Sequence, residues 1–416
     1  VLGTNAAPLE NGAKVVDGGG EGRFGRAGIV DRDQRQVGKR GDLGVGRRQE
    51  DDVARRLAEV DRGLTDFFPY RRRQVGGGSD LDHLLVAALH AAVAFAEVVD
   101  LGGATGAGMI WRAAAAIQAG MCTTCLCLTA SPRRTPKPRP DRVKNGAKGE
   151  PRSPRSIQPK RDRSPAAEFD MPYGMIGANV GYAMIANRYT HEYGLEDEQR
   201  AKVAVDQRRN ANVNPSAIFH DQPLTIDDVL ASDIICEPLH MLEIVMPAAG
   251  AAALLVTSAD RANDAKQPPA WLLGAGESVT HSSLAQAPAL DATGVGIAAS
   301  GAMAQAGVKP TDVGLASLYD CYTIMVLLTL EEAGFCARGE AGAFVEAHDL
   351  TYDGDFPLNT HGGQLSFGQA GMAGGMSHVT EAVRQIQGRC GERQIPDLEL
   401  AYAHGNGGII AEQVGL

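Results

Sequence analysis

Aromatic residues are scarce in this 416-residue sequence, where two Trp, nine Tyr and ten Phe make up 5% of the positions. Long apolar runs are also missing. The longest candidate, Leu84 to Ala96, has 13 residues and contains His90, well short of the roughly 20 that a membrane-spanning helix needs. The N-terminus shows no basic, apolar and small-residue succession, so no secretory signal is read there. Basic charge is lacking except in one place. Residues 1–130 carry 16 basic against 16 acidic side chains, 131–163 carry 12 against 3, and 164–416 carry 12 against 31. A short basic segment inside a chain of net charge −10 excludes a generally basic nucleic-acid binder. Seven cysteines, an odd number with three crowded at Cys122, Cys125 and Cys127, point to reduced thiols and a cytoplasmic protein.

Residues 1–100 contain no Met, no Cys and a single Ile, Ile29, and are punctuated by Gly and Arg. Few windows there hold a helical or strand period, apart from a helix over 81–99. The region is atypical, and disorder, strong divergence and an out-of-frame translation all remain open readings of it. From about Gly108 the pattern becomes regular. Ile110, Ala113, Ala114 and Ile117 recur at helical spacing, and Cys122 to Ala130 reads as a strand. Seven prolines and twelve basic residues in 131–163 cannot build a core, so this stretch is a Pro-rich excursion. It has no aromatics for stacking bases, and a nucleic-acid arm is the weaker reading. After Glu168 helices are expected at Ala178 to Tyr193, Glu196 to Asn212, Gly296 to Ala306, Ile324 to Ala333 and Met376 to Gln387. Strands are expected at Ala248 to Ser258, Trp271 to Gly276, Val313 to Leu318 and Leu398 to Ala403. The alternation implies a layered α/β fold with a largely parallel sheet.

Two motifs carry little. Gly20-Glu21-Gly22-Arg23-Phe24-Gly25 fits a dinucleotide fingerprint in letters, but lacks a proper preceding strand and a following helix. Cys122-Thr123-Thr124-Cys125 lies in a strand with no second pair, so structural burial is favoured over zinc or redox chemistry, and no metal is expected. Two glycine-rich loops carry more. Asn359 to Gly368 contains His361, Gly362 and Gly363, and His404-Gly405-Asn406-Gly407-Gly408 follows a strand. Successive glycines let backbone N–H groups approach an oxyanion. With Tyr319-Asp320 at a strand end, they read as walls of one site.

Taken in order, 103–120, 172–194 (PYGMIGANVGYAMIANRYTHEYG), 208–217, 250–262, 318–335, 359–375 and 404–413 resemble the thiolase superfamily, in its sterol-carrier or lipid-transfer branch. The likeness covers about 103–130 and 165–416. It implies a thiolase-like layered α/β fold of two βα halves, with mixed sheets and helices between and outside, and a homodimer. The corresponding division is 1–100, a first half over 101–245 with its loop region, and a second half over 246–416. Carried over by position, the nucleophilic Cys falls at Gly103, and the His of an HDCF motif at Tyr319. The His of a GHP motif falls at Gln369, and the second Cys at or beside Ala403, next to His404. Without a thiolate there is no acyl-enzyme.

The pattern is similar to that of thiolase-like steroid side-chain aldolases, which cleave a β-hydroxyacyl-CoA without a covalent intermediate and work with an OB-fold/zinc-ribbon partner. The resemblance implies Tyr319, His361 and His404 as catalytic groups, with Gly362, Gly363, Gly405 and Gly407 holding substrate. Coenzyme A enters as thioester substrate, with no other cofactor. Tyr319 needs a lowered pKa to take or give a proton readily. Phe367 stands where a second Tyr is expected. A non-catalytic acyl-CoA or lipid-binding homologue, or an acyltransferase with a rearranged site, is the alternative reading.

Overall fold

The computed structural model describes residues 2–3, 27–30, 94–131, 164–262 and 264–416, the first two segments as backbone only. The glycine pattern at 20–25, most of the helix expected over 81–99 and nearly all of the basic excursion lie outside the described residues. The strands are β1 (Leu2–Gly3), β2 (Ala27–Val30), β3 (Thr124–Ser131), β4 (Ile234–Cys236), β5 (Leu239–His240), β6 (Gly250–Ser258), β7 (Ala270–Leu272), β8 (Gly276–Val279), β9 (Leu315–Ser317), β10 (Leu400–Gly407) and β11 (Glu412–Gly415). The longer helices are α1 (Thr105–Gln118), α2 (Ala178–Tyr193), α3 (Asp197–Asn212), α4 (Val295–Ala306), α5 (Thr323–Glu332), α6 (Ala341–Ala347) and α7 (Ala373–Ile386). None of the described helices is long and apolar enough to cross a membrane.

Among the described residues nine strands form one sheet in the order β3-β6-β2-β7-β1-β10-β11-β8, with β9 also pairing β10. The expected largely parallel sheet is not found. Among the described strands only β9 and β10 run parallel, and every other pairing is antiparallel. Alternation of strands and helices along the chain does not fix direction when strands insert between partners distant in sequence. β10 and β11 are joined by a tight turn at Gly408 to Ile410, all three at positive φ, and such a turn permits only an antiparallel pair. Two segments from the atypical first hundred residues take part, β1 between β7 and β10 and β2 between β6 and β7.

Local sequence accounts for the helices that frame the site. A capping box between Glu196 and Gln199 starts α3, with Asp197 and Glu198 in its first turn. Gly194, left-handed at φ 70°, ends α2. α5 (TIMVLLTLEE) is apolar nearly all round and is therefore buried on every side, at the centre of one core cluster. α1 and α7 form a second cluster against the sheet. The two helices meet through glycine: a Cβ on Gly106 would lie 2.6 Å from the Met376 nitrogen. α3 is tied to the start of α5 by a fully buried ion pair, Arg200 to Glu243 at 2.9 Å, whose carboxylate also accepts from Thr323.

Candidate active site

Tyr319 lies just beyond β9, in the turn that leads into α5. The turn is set by Asn359, which clamps Leu318 with both ends of its amide. Oδ1 accepts the Leu318 N–H at 2.7 Å, and Nδ2 donates to the Leu318 carbonyl at 2.8 Å. Asn359 is itself at φ 50°, a conformation that Asn tolerates better than most residues. The loop after it is pinned from α3 and its continuation. Asn210 donates to the Leu358 carbonyl and Asn214 to the His361 carbonyl, both at 2.9 Å. The sequence blocks RRNANVN and NTHGG thus build one support for the tyrosine.

The Tyr319 hydroxyl occupies the space that a side chain on residue 103 would need. A Cβ built on Gly103 would sit 2.0 Å from the hydroxyl oxygen, 2.3 Å from Cζ and 2.4 Å from the Asn406 carbonyl oxygen. Gly103 and Tyr319 are complementary: the tyrosine fits because the glycine has nothing there. Gln369 donates to the phenol oxygen at 3.4 Å, so three positions carried over from the resemblance meet at one point. The lowered pKa required of Tyr319 is not found. Burial pushes its phenol above the ordinary tyrosine range, against the smaller opposite pull of the Gln369 and Gln364 amides. Tyr319 is therefore a neutral phenol. Nearby Cys321 is pushed up to about 12 by burial, so it offers no thiolate. All seven cysteines are free thiols.

Behind the phenol stands a polar layer of Asp320, His361 and His378, of which His378 is the member that sequence reasoning missed. Both Asp320 oxygens accept backbone N–H groups of the glycine loop, from Gln364 at 2.8 Å and Leu365 at 3.1 Å. His378 Nε2 lies 3.1 Å from the same carboxylate, and neither side chain is exposed. His361 is one step further back. Its ring meets that of His378 edge-on at 5.1 Å, and its Nε2 lies 3.1 Å from Ser377 Oγ. The signal for His378 was a polar residue on the buried face of an expected helix.

The second glycine loop is corrected. His404 to Gly407 is not a turn but the end of β10, with Gly405 opposite Val414 and Gly407 opposite Glu412. These glycines serve close packing. A Cβ on Gly405 would meet the Ala104 Cα at 2.9 Å, and one on Gly407 the Leu101 oxygen at 2.1 Å. The same holds for Gly363, whose Cβ would meet Asp320 Oδ2 at 2.1 Å, and for Gly362 against Ala211. His404 donates from Nε2 to Gln413 at 2.9 Å, Gln413 donates to Asn406 Oδ1, and Asn406 donates to the Tyr182 hydroxyl at 2.7 Å. His404 thus supports the strand whose Asn406 carbonyl flanks Gly103, and Asn406 was a further residue the sequence did not reveal.

Burial holds His361 down to about 3 and His404 to about 4, so both are neutral in the folded protein at pH 7. Their unfolded values are about 6.5, so stability is fully present above that pH and is lost as pH falls toward the folded values. Glu381, lowered to about 2 against burial by its bond to Arg393, adds a loss only below about pH 4.3. The unfolding temperature is expected to fall from pH 7 to pH 5, and less steeply in His404→Gln. A flat profile over that range would contradict buried neutral imidazoles.

A cavity of about 180 Å³ lies beside this layer, lined by Ser216, Ile218, Ala248, Phe367, Ala370 and Ser377 among others. Its wall at Gly374 is close to the site, since a Cβ there would meet Gln364 Oε1 at 2.4 Å and Gln369 Cγ at 3.0 Å. Among the described residues no group of three or more His, Cys, Asp or Glu could hold a metal ion.

Fold and site define a thiolase-type α/β protein with glycine in place of the nucleophile. The family described as "Thiolase C-terminal domain-like" matches residues 276–416. A steroid side-chain-cleaving aldolase of Thermomonospora curvata is 37% identical over 299 residues, 71% of this chain and 73% of that protein. A 17-hydroxy-3-oxo-4-pregnene-20-carboxyl-CoA lyase of Mycobacterium tuberculosis is 39% identical over 225 residues, 53% of this chain and 58% of its own length. Among solved structures, an Ltp2-ChsH2(DUF35) aldolase superposes with a TM-score of 0.64 at 33% identity, over 76% of this chain and 77% of that one. The chain belongs to the thiolase superfamily, in its sterol-carrier-like branch.

Proposed function

We propose that this protein splits the Cα–Cβ bond of a bulky β-hydroxyacyl-CoA, of the kind met in steroid or lipid degradation, by a retro-aldol step without a covalent enzyme intermediate. The observation that carries the reading is the Tyr319 phenol lying in the space beside Gly103 that a nucleophilic side chain would occupy. The two similar enzymes reported above, an aldolase and an acyl-CoA lyase, support the same reaction class. In the reaction the β-hydroxyl loses its proton and becomes a carbonyl. The Cα–Cβ bond breaks, and its electron pair passes into the thioester enolate. A proton then returns to Cα. The hydroxyl proton passes to solvent as the bond breaks. Tyr319, neutral and buried, gives its proton to Cα of the enolate, and the phenolate so formed regains a proton from solvent. The cavity beside Gln364 and Gln369 receives part of the acyl group. Coenzyme A enters as part of the substrate, and no metal is invoked. The same reading makes the protein a cytoplasmic homodimer that works with a DUF35-type partner, as named for the superposed complex.

The protein, with a DUF35-type partner supplied, is to be incubated with steroid and aliphatic β-hydroxyacyl-CoA thioesters. Release of ketone or aldehyde and the shortened acyl-CoA, with no requirement for free CoA, is the expected result. Acetoacetyl-CoA with free CoA is expected to stay intact, and mass spectrometry to find no acyl adduct on any cysteine. Thiolysis or a stable adduct would refute the reading. Tight binding without turnover would make the protein an acyl-CoA carrier.

A further inference from the structure

Ser377, half-buried in α7, lines the cavity of about 180 Å³. Apart from the exposed Ser216, the other side chains on that wall are apolar. The directions of both Ser377 hydrogen bonds follow from their partners. Its Oγ lies 2.6 Å from the Gly374 carbonyl, which can only accept, so the serine proton is spent there. His361 Nε2 lies 3.1 Å from the same Oγ, and with the serine proton committed it is the donor. His361 therefore carries its proton on Nε2 and leaves Nδ1 bare, buried and without a partner among the described residues. The opposite assignment brings two acceptor oxygens to 2.6 Å and buries an unpaired N–H. A serine hydroxyl has one donor and two acceptor lone pairs. The donor and one lone pair are used, and one lone pair remains at the cavity wall. Toward a ligand Ser377 is thus an acceptor with no proton to give. Gly374 shares the wall beside Gln369, whose amide donates to the Tyr319 phenol.

We propose that Ser377 is a specificity-determining residue. Held as an acceptor by His361 and the Gly374 carbonyl, it takes a hydrogen bond from a hydroxyl of the acyl group and turns away a ketone in the same position. That an acyl group fills this cavity rests on the retro-aldol reading above. The test is equilibrium binding in Tyr319→Phe, where turnover is slow, with the DUF35-type partner present. The probes are acyl-CoA pairs that differ only as hydroxyl and ketone, one pair at the β-carbon and one further along the chain. In at least one pair the hydroxyl member is expected to bind about tenfold more tightly, the worth of one hydrogen bond. The pair that shows the preference identifies the hydroxyl recognised. Adding Ser377→Ala is expected to bring the two members within about twofold, and Ser377→Thr, which keeps a hydroxyl, to retain the preference.

Equal affinities in both pairs, or a preference that survives in Ser377→Ala, overturn the proposal. A second measurement needs no change at position 377. The ¹H–¹⁵N spectrum of the imidazoles in the intact protein, with the His361 signal assigned by its loss in His361→Gln, is expected to show Nε2–H and a bare Nδ1. The opposite tautomer overturns the proposal, because Ser377 then has no fixed role as acceptor. A hydroxyl preference in a protein that splits no β-hydroxyacyl-CoA sinks the retro-aldol reading and leaves Ser377 standing. Turnover by wild type with equal affinities for hydroxyl and ketone sinks the role of Ser377 alone.

Discussion

Tyr319→Phe is expected to lower retro-aldol turnover by about 10²–10⁴-fold, the usual worth of a placed general acid, while the unfolding temperature barely moves. The ring stays in its packing against α7 and Gly103, and only the hydroxyl is lost. Among the described residues the weak 3.4 Å contact from Gln369 is the direct hydrogen bond sacrificed, which limits the structural cost. Because burial raises the phenol above its ordinary range, its contribution is donation, and it is expected to persist across neutral pH. The comparison is ketone or aldehyde release by wild type and variant at saturating substrate, alongside thermal unfolding of both. Equal rates would remove Tyr319 from the mechanism.

Gly103→Cys is expected to abolish turnover without conferring thiolysis. The new Cβ would stand 2.0 Å from the Tyr319 hydroxyl and 2.4 Å from the Asn406 carbonyl oxygen. Neither contact is relieved by a rotamer, because one partner is backbone and the other a ring enclosed by α7. Overpacking of this kind costs about 1–3 kcal/mol. The smaller Gly103→Ala makes the same contacts, so it too is expected to lower the unfolding temperature and displace the phenol. In a Tyr319→Phe background Gly103→Ala is expected to reduce the residual rate no further, since the group it displaces is already gone. Wild-type activity in Gly103→Ala would show that the phenol's place is not what the reaction needs.

The framework of the fold was legible where sequence period and stop signals agree. α2 runs Ala178–Tyr193 as expected, closed by Gly194, and α3 follows one residue inside its expected start at the Glu196 cap. Trp271 to Gly276, read as one strand, is two, since β7 ends at Leu272 and β8 begins at Gly276, each with different partners. A run of apolar and small residues does not say where a strand changes neighbours. The glycines of His404 to Gly407 suggest a loop because glycines usually mark one. Here they line a strand that passes within contact distance of the backbone at Leu101 and Ala104, which only long-range packing reveals. Of the site, Tyr319 and Gln369 could be placed by resemblance. The role of Gly103 as a vacancy could not, because an absent side chain leaves no pattern until its neighbour 216 positions away is known. His378, Gln364 and Asn406 escaped for a related reason. Each is a polar side chain whose partners come from other segments.

The pairing of β1 has a kinetic consequence. Leu2 stands opposite Ala401 and Leu272 in the sheet, so its two neighbours arrive nearly 400 and 270 residues later. During synthesis the sheet cannot close around this strand until β10 has emerged. Non-local pairing of this kind is slow and leaves unpaired strand edges exposed while it waits. β10 is the same strand that carries Asn406 beside Gly103, and the site is accordingly among the last parts of the molecule to be assembled.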